Sequence, residues 1–318
     1  MAIAPIALFA YNRPAHLQRT LYALQANTLA RESMLYVFSD GPKGSHDADA
    51  VRAVREIAGC AEGFSKIVVQ EREKNLGLAQ SVISGVTELA NKHGRVIVLE
   101  DDLVVAPGFL SFMNQALERY HAEPRVMQIS GYMFPVKDLS RLNSTFFSRI
   151  PTSWGWATWN RAWNRLERDS SKLLAGLVDE TQRTAFNVDG AYPYFEHLAL
   201  QAEGKLDVWG VRWYASMFAA NGLCLYPSRS LVQNIGIDGS GVHCSSSQYF
   251  NVMLSTLESW DYPDAVTESA IARELIRSFL AGLRSEQKIS TIVELTSRLR
   301  MVAGRIKRSI SSAVQRAG

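Results

Sequence analysis

The chain of 318 residues has only three cysteines, Cys60, Cys224 and Cys244, and no two are close together. That count is too low for a disulfide framework, and the spacing fits neither a zinc knuckle nor a redox pair. Buried, reduced thiols are the expectation. Long apolar runs are missing as well, since nothing approaches the ~18 residues of a membrane-spanning helix. The opening "MAIAPIALFAYNRP" has no basic stretch ahead of its apolar one, so it reads as a first strand and not as a signal peptide. The cytoplasm is therefore the default expectation. Net charge is small: 34 Lys and Arg against 31 Asp and Glu leave +3, too little to point to a nucleic acid partner. Internal repeats and low-complexity segments are absent too. What is present, 47% hydrophobic and 20% charged residues, is the composition of a folded protein with a sizeable core.

The apolar pattern sets the architecture. "PIALFAYNRP", "SMLYVFSDGPKG", "FSKIVVQERE" and "RVIVLEDDLVV" are short apolar runs, each closed by polar or turn residues. Between them lie "AHLQRTLYALQAN", "DADAVRAVREIAGC" and "GLAQSVISGVTELANKHG", with apolar residues at helical spacing. A further helix, "PGFLSFMNQALERYHA", follows the fourth strand, with Pro107 placed for its first turn. Strand and helix alternate four times in about 120 residues, which predicts βαβ units and a mostly parallel, Rossmann-like α/β sheet flanked by helices. Ligands of such sheets bind beyond the C-terminal strand ends. Asn12, Arg13, Asp40 and the triplet Glu100, Asp101 and Asp102 all fall there.

The rhythm breaks near residue 130. Residues 146–165 hold four of the seven tryptophans, and "LDVWGVRWYASMF" holds two more. We expect a βα half over residues 1–130, a mixed α/β half of the same domain over 131–260, and a helical tail over 261–318. From Arg284 onward there are eight Lys or Arg against two Glu, with apolar residues at helical spacing from Ile289 to Ile310. A basic amphipathic helix of this kind fits an anionic membrane face; an ordinary surface or partner-binding helix fits equally.

Three adjacent carboxylates behind four aliphatic residues need a positive partner. Oxygen ligands with no Cys or His close by in sequence favour a hard cation, Mg²⁺ or Mn²⁺, which takes one or two carboxylates and completes its shell with water and substrate phosphate. Asp101 and Asp102 could then hold a metal that bridges a diphosphate.

"EDDLVVAPGF", "YNRP", "FSDG" and "SWGWATW" occur in an order that resembles the GT-A glycosyltransferases, in particular the N-acetylglucosaminyltransferase I family and bacterial family 2-like sugar transferases of surface polysaccharide pathways. The resemblance spans roughly residues 3–245 and is strongest at the acidic motif. It implies a GT-A fold with residues 1–130 binding the nucleotide sugar and residues 131–260 binding the acceptor. It further implies a metal-dependent hexosyl- or N-acetylhexosaminyltransferase acting on a nucleoside-diphosphate sugar, UDP being the family's usual nucleotide. The acceptor would be a glycan, a lipid-linked oligosaccharide or a protein. By resemblance Asp102 is the direct metal ligand, Asp101 lies near the ribose or a metal-bound water, and Glu100 contacts the donor sugar. Asp40 would accept from the base, and Arg13, beside Asn12, would face the base or diphosphate. His243, in the loop "IDGSGVHC", would return to the metal or diphosphate, with Asp238 in the same loop as its substitute.

An inverting displacement needs a carboxylate to take the acceptor proton. Asp207 is the candidate, although Val208 and Gly210, not an acid, flank Trp209; Glu196 and Asp189 stand in reserve. Trp154, Trp156 and Trp159 are candidates for stacking on a sugar, and the Gly-Trp context favours Trp156. Two other readings stay open: a nucleotide-sugar-binding protein with impaired catalysis, and a Rossmann-like phosphotransferase or phosphatase. The second is weakened because Tyr11-Asn12-Arg13 follows the first strand, where such enzymes place a nucleophilic Asp.

Overall fold

The computed structural model describes residues 2–239 and 248–284. β1 (Ile6–Ala10), α1 (Pro14–Gln25), β2 (Met34–Ser39), α2 (Ala48–Gly59), β3 (Lys66–Glu71), α3 (Leu78–His93) and β4 (Arg95–Glu100) alternate as the sequence pattern predicts. Local chemistry sets their bounds. Pro14 opens α1, where its missing N–H costs nothing. Gly94 closes α3 with φ 78°, a left-handed cap that glycine adopts freely, and Lys92 and His93 in the last turn suit the negative helix end. Pro107 sits just outside its helix, in the turn ahead of α4 (Phe109–Arg119).

The remaining elements are β5 (Leu103–Val105), which precedes α4, then β6 (Val126–Ser130), β7 (Thr145–Ser148), β8 (Trp156–Trp159), α5 (Asn160–Trp163), α6 (Ser170–Ala175), α7 (Glu180–Phe186), α8 (Tyr194–Ala202), α9 (Trp209–Ala219), β9 (Leu223–Pro227) and β10 (Val232–Asn234). Eight strands form one sheet in the order β3-β2-β1-β4-β8-β6-β9-β7, while β5 and β10 make a separate antiparallel pair. The links among β3, β2, β1 and β4 are parallel, as is β6 to β9. Antiparallel β8 lies between β4 and β6, and β7 runs antiparallel on the far edge. This is the mixed α/β, mostly parallel sheet expected from the sequence.

Packing follows the strand pattern. β1 is buried along its whole length, the burial of a central parallel strand, whereas β3 is half-exposed at the sheet edge. Phe9 and Phe38 stack at 5.0 Å on the face that α3 covers. Gly85 brings α3 down onto them, since a Cβ there would lie 2.7 Å from the Phe9 ring. In the second half Trp156, Trp163, Trp209 and Trp213 form one buried cluster, pinned by a 2.6 Å hydrogen bond from the Trp213 indole to buried Gln128. A smaller core, including Leu173, Phe186, Leu198 and Tyr214, joins the helices that follow β8.

Two sequence expectations meet a different arrangement. The boundary at residue 261 falls inside the packed body: Ala272, Leu275, Ile276 and Leu280 are buried in the main core, on a helical stretch over residues 270–284. Only the remainder of the basic tail, from residue 285, lies outside the described residues. Cys224 is buried as expected, but Cys60 is exposed at the end of α2, and Cys244 lies outside the described residues.

Candidate active site

Strand order creates the site. From β1 the chain proceeds outward to β2 and β3, then returns to lay β4 on the other side of β1. Between β1 and β4 the connections diverge, and a crevice opens beyond their C-terminal ends. Tyr11, Asn12 and Arg13 leave β1 there, Asp40 and Lys43 leave β2, and Glu100, Asp101 and Asp102 leave β4. Together with Asn75 and Gly77 from the loop before α3, they line a cavity of about 210 Å³ floored by Phe9 and Phe38. The structure therefore gathers Asn12, Arg13, Asp40, Glu100, Asp101 and Asp102 in one place.

Hydrogen bonds fix the acidic turn. The Asp101 carboxylate accepts from the Tyr11 N–H at 3.1 Å, and the Asp101 carbonyl accepts from Thr20 Oγ1 on α1 at 2.7 Å. The Asp102 carbonyl accepts from the Ile235 N–H at 2.8 Å, where the chain leaves β10. Asp102 Oδ2 accepts from Arg13 Nη1 at 3.0 Å. Gly236 lies against this pair so closely that a Cβ would be 2.0 Å from Oδ2 and 2.6 Å from Nη1. Asp102 Oδ1 is buried and has no hydrogen-bond partner among the described residues.

The electrostatics of the turn are unbalanced. One guanidinium faces three carboxylates. Burial, with Asp102 beside it, pushes the Asp101 carboxyl up to about 7. Glu100 is raised well above the usual carboxylate range by burial and by both neighbouring aspartates. Asp102 is raised by burial even with Arg13 opposing the effect. A buried acceptor without a donor, among acids that lack enough positive charge, is the environment a divalent cation relieves. Among the described residues no three His, Cys, Asp or Glu side chains are grouped so that they alone could hold a metal ion.

Asp40 has a second occupation. Its carboxylate accepts from the N–H groups of Leu76 at 2.9 Å and Gly77 at 3.0 Å, so it ties the end of β2 to the loop before α3. Asp47 folds the neighbouring loop by accepting from the N–H groups of Lys43 and Gly44, each at 3.1 Å, and from the Tyr11 hydroxyl. Burial, together with that contact, raises the Tyr11 phenol to about 12. His16 Nε2 lies 3.2 Å from Asp238 Oδ2. His243 lies outside the described residues.

A second cavity, of about 280 Å³, opens in the second half and is lined by Tyr132, Phe134, Trp154, Tyr192, Tyr194, His197 and Phe250, among others. Because β8 runs antiparallel to β4 with Val98 opposite Trp156, the segment before Trp156 reaches the same sheet edge as Glu100. Trp156 itself corrects the sequence reading. It is 0% exposed and stacked on Trp209 at 5.0 Å, so it has no face to offer a ligand. Trp159 is in the core too, with its indole bonded to the Leu117 carbonyl. Trp154 is the member of the trio that lines the cavity.

The carboxylate candidates lie outside both cavities. Asp207 precedes three residues of the aromatic wall, Val208, Trp209 and Gly210, but its side chain is 69% exposed and paired with Arg212 at 3.2 Å. Asp189 is held by Arg273 at 2.8 Å, and Glu196 is exposed on α8. The sequence reading passed over Lys43, Asn75, Tyr192, Tyr194 and His197. "AYPYFEHL", with its aromatics and histidine packed together, was the available signal for the last three.

No protein-family model and no curated protein sequence matches this chain. Among solved structures it is similar to a mannosyltransferase from Pyrobaculum calidifontis in complex with GDP-Man and Mn²⁺, at 12% identity and a TM-score of 0.38, over 68% of each chain. It is similar to the galactosyltransferase LgtC in complex with donor and acceptor sugar analogues, at 11% identity and a TM-score of 0.35, over 70% of this chain and 72% of that one. A third is S. aureus TarS, at 10% identity and a TM-score of 0.38, over 74% of this chain and 37% of TarS. At such scores the chemistry must be read from this chain's own residues.

Proposed function

We propose that the protein is a metal-dependent glycosyltransferase that moves a sugar from a nucleoside-diphosphate sugar, UDP-linked in the first instance, to an acceptor hydroxyl with inversion. The observation that carries this reading is Asp102: half-buried at the switch point of the sheet, clamped on one oxygen by Arg13 and, among the described residues, without a partner on its other, buried oxygen, beside two more acids. A nucleotide sugar brings a diphosphate, and its cation would sit on Asp102, with Asp101 beside it.

When bound, Mn²⁺ or Mg²⁺ supplies Lewis-acid neutralisation of the departing diphosphate. The chain's own residues do the rest. Arg13 and Lys43 put positive charge at the cavity wall, where the leaving group gains negative charge. Asp40 holds the loop at residues 75–77, and Asn12 and Asn75 offer amides to the nucleoside. Glu100, nearest the second half of the sheet, faces the sugar. The acceptor oxygen forms its bond to the anomeric carbon as the bond to the diphosphate oxygen breaks, and a carboxylate takes the hydroxyl proton. Asp207 is assigned that task, for which its pairing with Arg212 must open. The basic tail from Arg284 is assigned to an anionic membrane face on the cytoplasmic side, where a lipid-linked or surface-glycan acceptor would be met. Co-sedimentation with anionic vesicles that survives removal of residues 285–318 would refute that assignment.

Calorimetry with UDP-sugars and GDP-sugars in Mn²⁺ tests the central reading. Wild-type protein should bind at least one donor only with the cation present, and Asp102→Ala should lose that uptake. Undiminished cation-dependent binding by the variant would refute it. Donor hydrolysis by the wild type separates a transferase from a binding protein with lost catalysis.

A further inference from the structure

The aromatic cavity has a composition with a narrow set of partners. Its walls are flat rings: Trp154 stands edge-on to Tyr132 at 4.6 Å and to Phe250 at 5.5 Å, and Tyr192 packs edge-on to His197 at 5.4 Å. The Trp154 indole N–H, the Tyr192 and Tyr194 hydroxyls and the His197 ring make no hydrogen bond among the described residues. Partly buried polar groups on aromatic walls suit a ligand with an apolar face and a polar rim. A pyranose ring has that form, with C–H groups on one face and hydroxyls at its edge. An alkyl chain would cover the rings but leave four polar groups unmatched.

Charge narrows the class further. Among the described residues no Lys or Arg lines the cavity, and the acid triplet lies along the same sheet edge. An anionic sugar would be desolvated with no counter-charge and repelled by its neighbours.

We propose that this cavity is a subsite for an uncharged pyranose ring, with Trp154 as the stacking platform and His197 as the hydrogen-bond partner that orients a ring hydroxyl. Naming that ring the acceptor rests on the transferase reading; the binding itself does not. His197 is a positioning and specificity residue here, and the proton transfer stays with the carboxylate.

The test is saturation-transfer NMR on the full chain, with and without UDP and Mn²⁺. The probes are methyl glycosides of glucose, galactose, mannose and N-acetylglucosamine, set against glucuronic acid. At least one neutral probe should bind saturably and glucuronic acid should not. Trp154→Ala should weaken binding about tenfold or more, while Trp154→Phe keeps most of it. His197→Ala should weaken it several-fold, with partial rescue by His197→Gln. Manganese-dependent UDP binding should be unchanged in all four variants, which also reports that they are folded. The proposal is overturned if no neutral probe binds in either state, if Trp154→Ala and His197→Ala bind as the wild type does, or if glucuronic acid binds equally well. Sugar binding by a protein that takes up no UDP would sink the transferase reading and leave the subsite standing.

Discussion

Raising the pH from about 5 to about 8 should loosen the metal-free protein through Asp101, and replacing that residue with Asn should remove the effect. The Asp101 carboxyl moves from 3.8 to about 7 on folding. Below 3.8 both states carry the proton and the group makes no difference. Between the two values the unfolded chain has released its proton while the folded chain keeps it, so stability falls as pH rises and levels off above about 7. At about 1.36 kcal/mol for each pH unit, the loss is on the order of 4 kcal/mol. Asp101 is only 8% exposed, so solvent screening takes little from that figure. Glu100 and Asp102 act in the same direction. His93 and His197, lowered by burial, act in the opposite one. A direct comparison with Asp101→Asn cancels the histidines. Urea unfolding followed by tryptophan fluorescence should show the variant gaining on the wild type by roughly 2–3 kcal/mol across that range, because about one pH unit of the total loss is already complete at pH 5. Mn²⁺ should restore the wild type at the alkaline end far more than at the acid end, because its binding competes with those protons. A stability difference that stays constant with pH would refute the electrostatic account of the turn.

Three further outcomes follow from single contacts. Asp207→Asn should nearly abolish turnover and leave donor affinity intact; a fully active variant removes Asp207 as the base. Gly236→Ala places a Cβ against Asp102 and Arg13, so it should lower manganese-dependent donor affinity at least tenfold at an overpacking cost of about 1–3 kcal/mol, and unchanged calorimetry would contradict the geometry. Asp40→Ala strips the acceptor from the Leu76 and Gly77 N–H groups and should destabilise the fold by about 2–4 kcal/mol in denaturant titration; a loss confined to nucleotide affinity would mean instead that Asp40 serves the ligand alone.

The parallel half was legible because its signals are local. Apolar runs bounded by Asn-Arg-Pro, Asp-Gly-Pro and Glu-Asp-Asp mark strands and their C-terminal ends, and the sheet rule places those ends together. Partnerships across long sequence gaps were not legible. Asp40 reads as a turn residue until Leu76, 36 positions away, donates to it. The tryptophans show a different limit. Trp154 and Trp156 have the same parity on an extended chain, yet one lines a cavity and the other is sealed in the core. Gly155, at φ 60°, redirects the backbone between them, and composition alone does not reveal that turn. Asp207 illustrates the converse: its place two residues before Trp209 was visible, but its outward pairing with Arg212 was not.

The position of β8 has a bearing on how this chain can be taken apart. Val96, Ile97 and Val98 of β4 have their outer backbone groups engaged by Thr158, Ala157 and Trp156, a segment that arrives some sixty residues later. A fragment ending near residue 130 would present that buried aliphatic strand as a bare edge, open to pairing with its own copies. The βα half is thus no portable module to be grafted elsewhere; its solubility depends on a strand lent by the half that follows it.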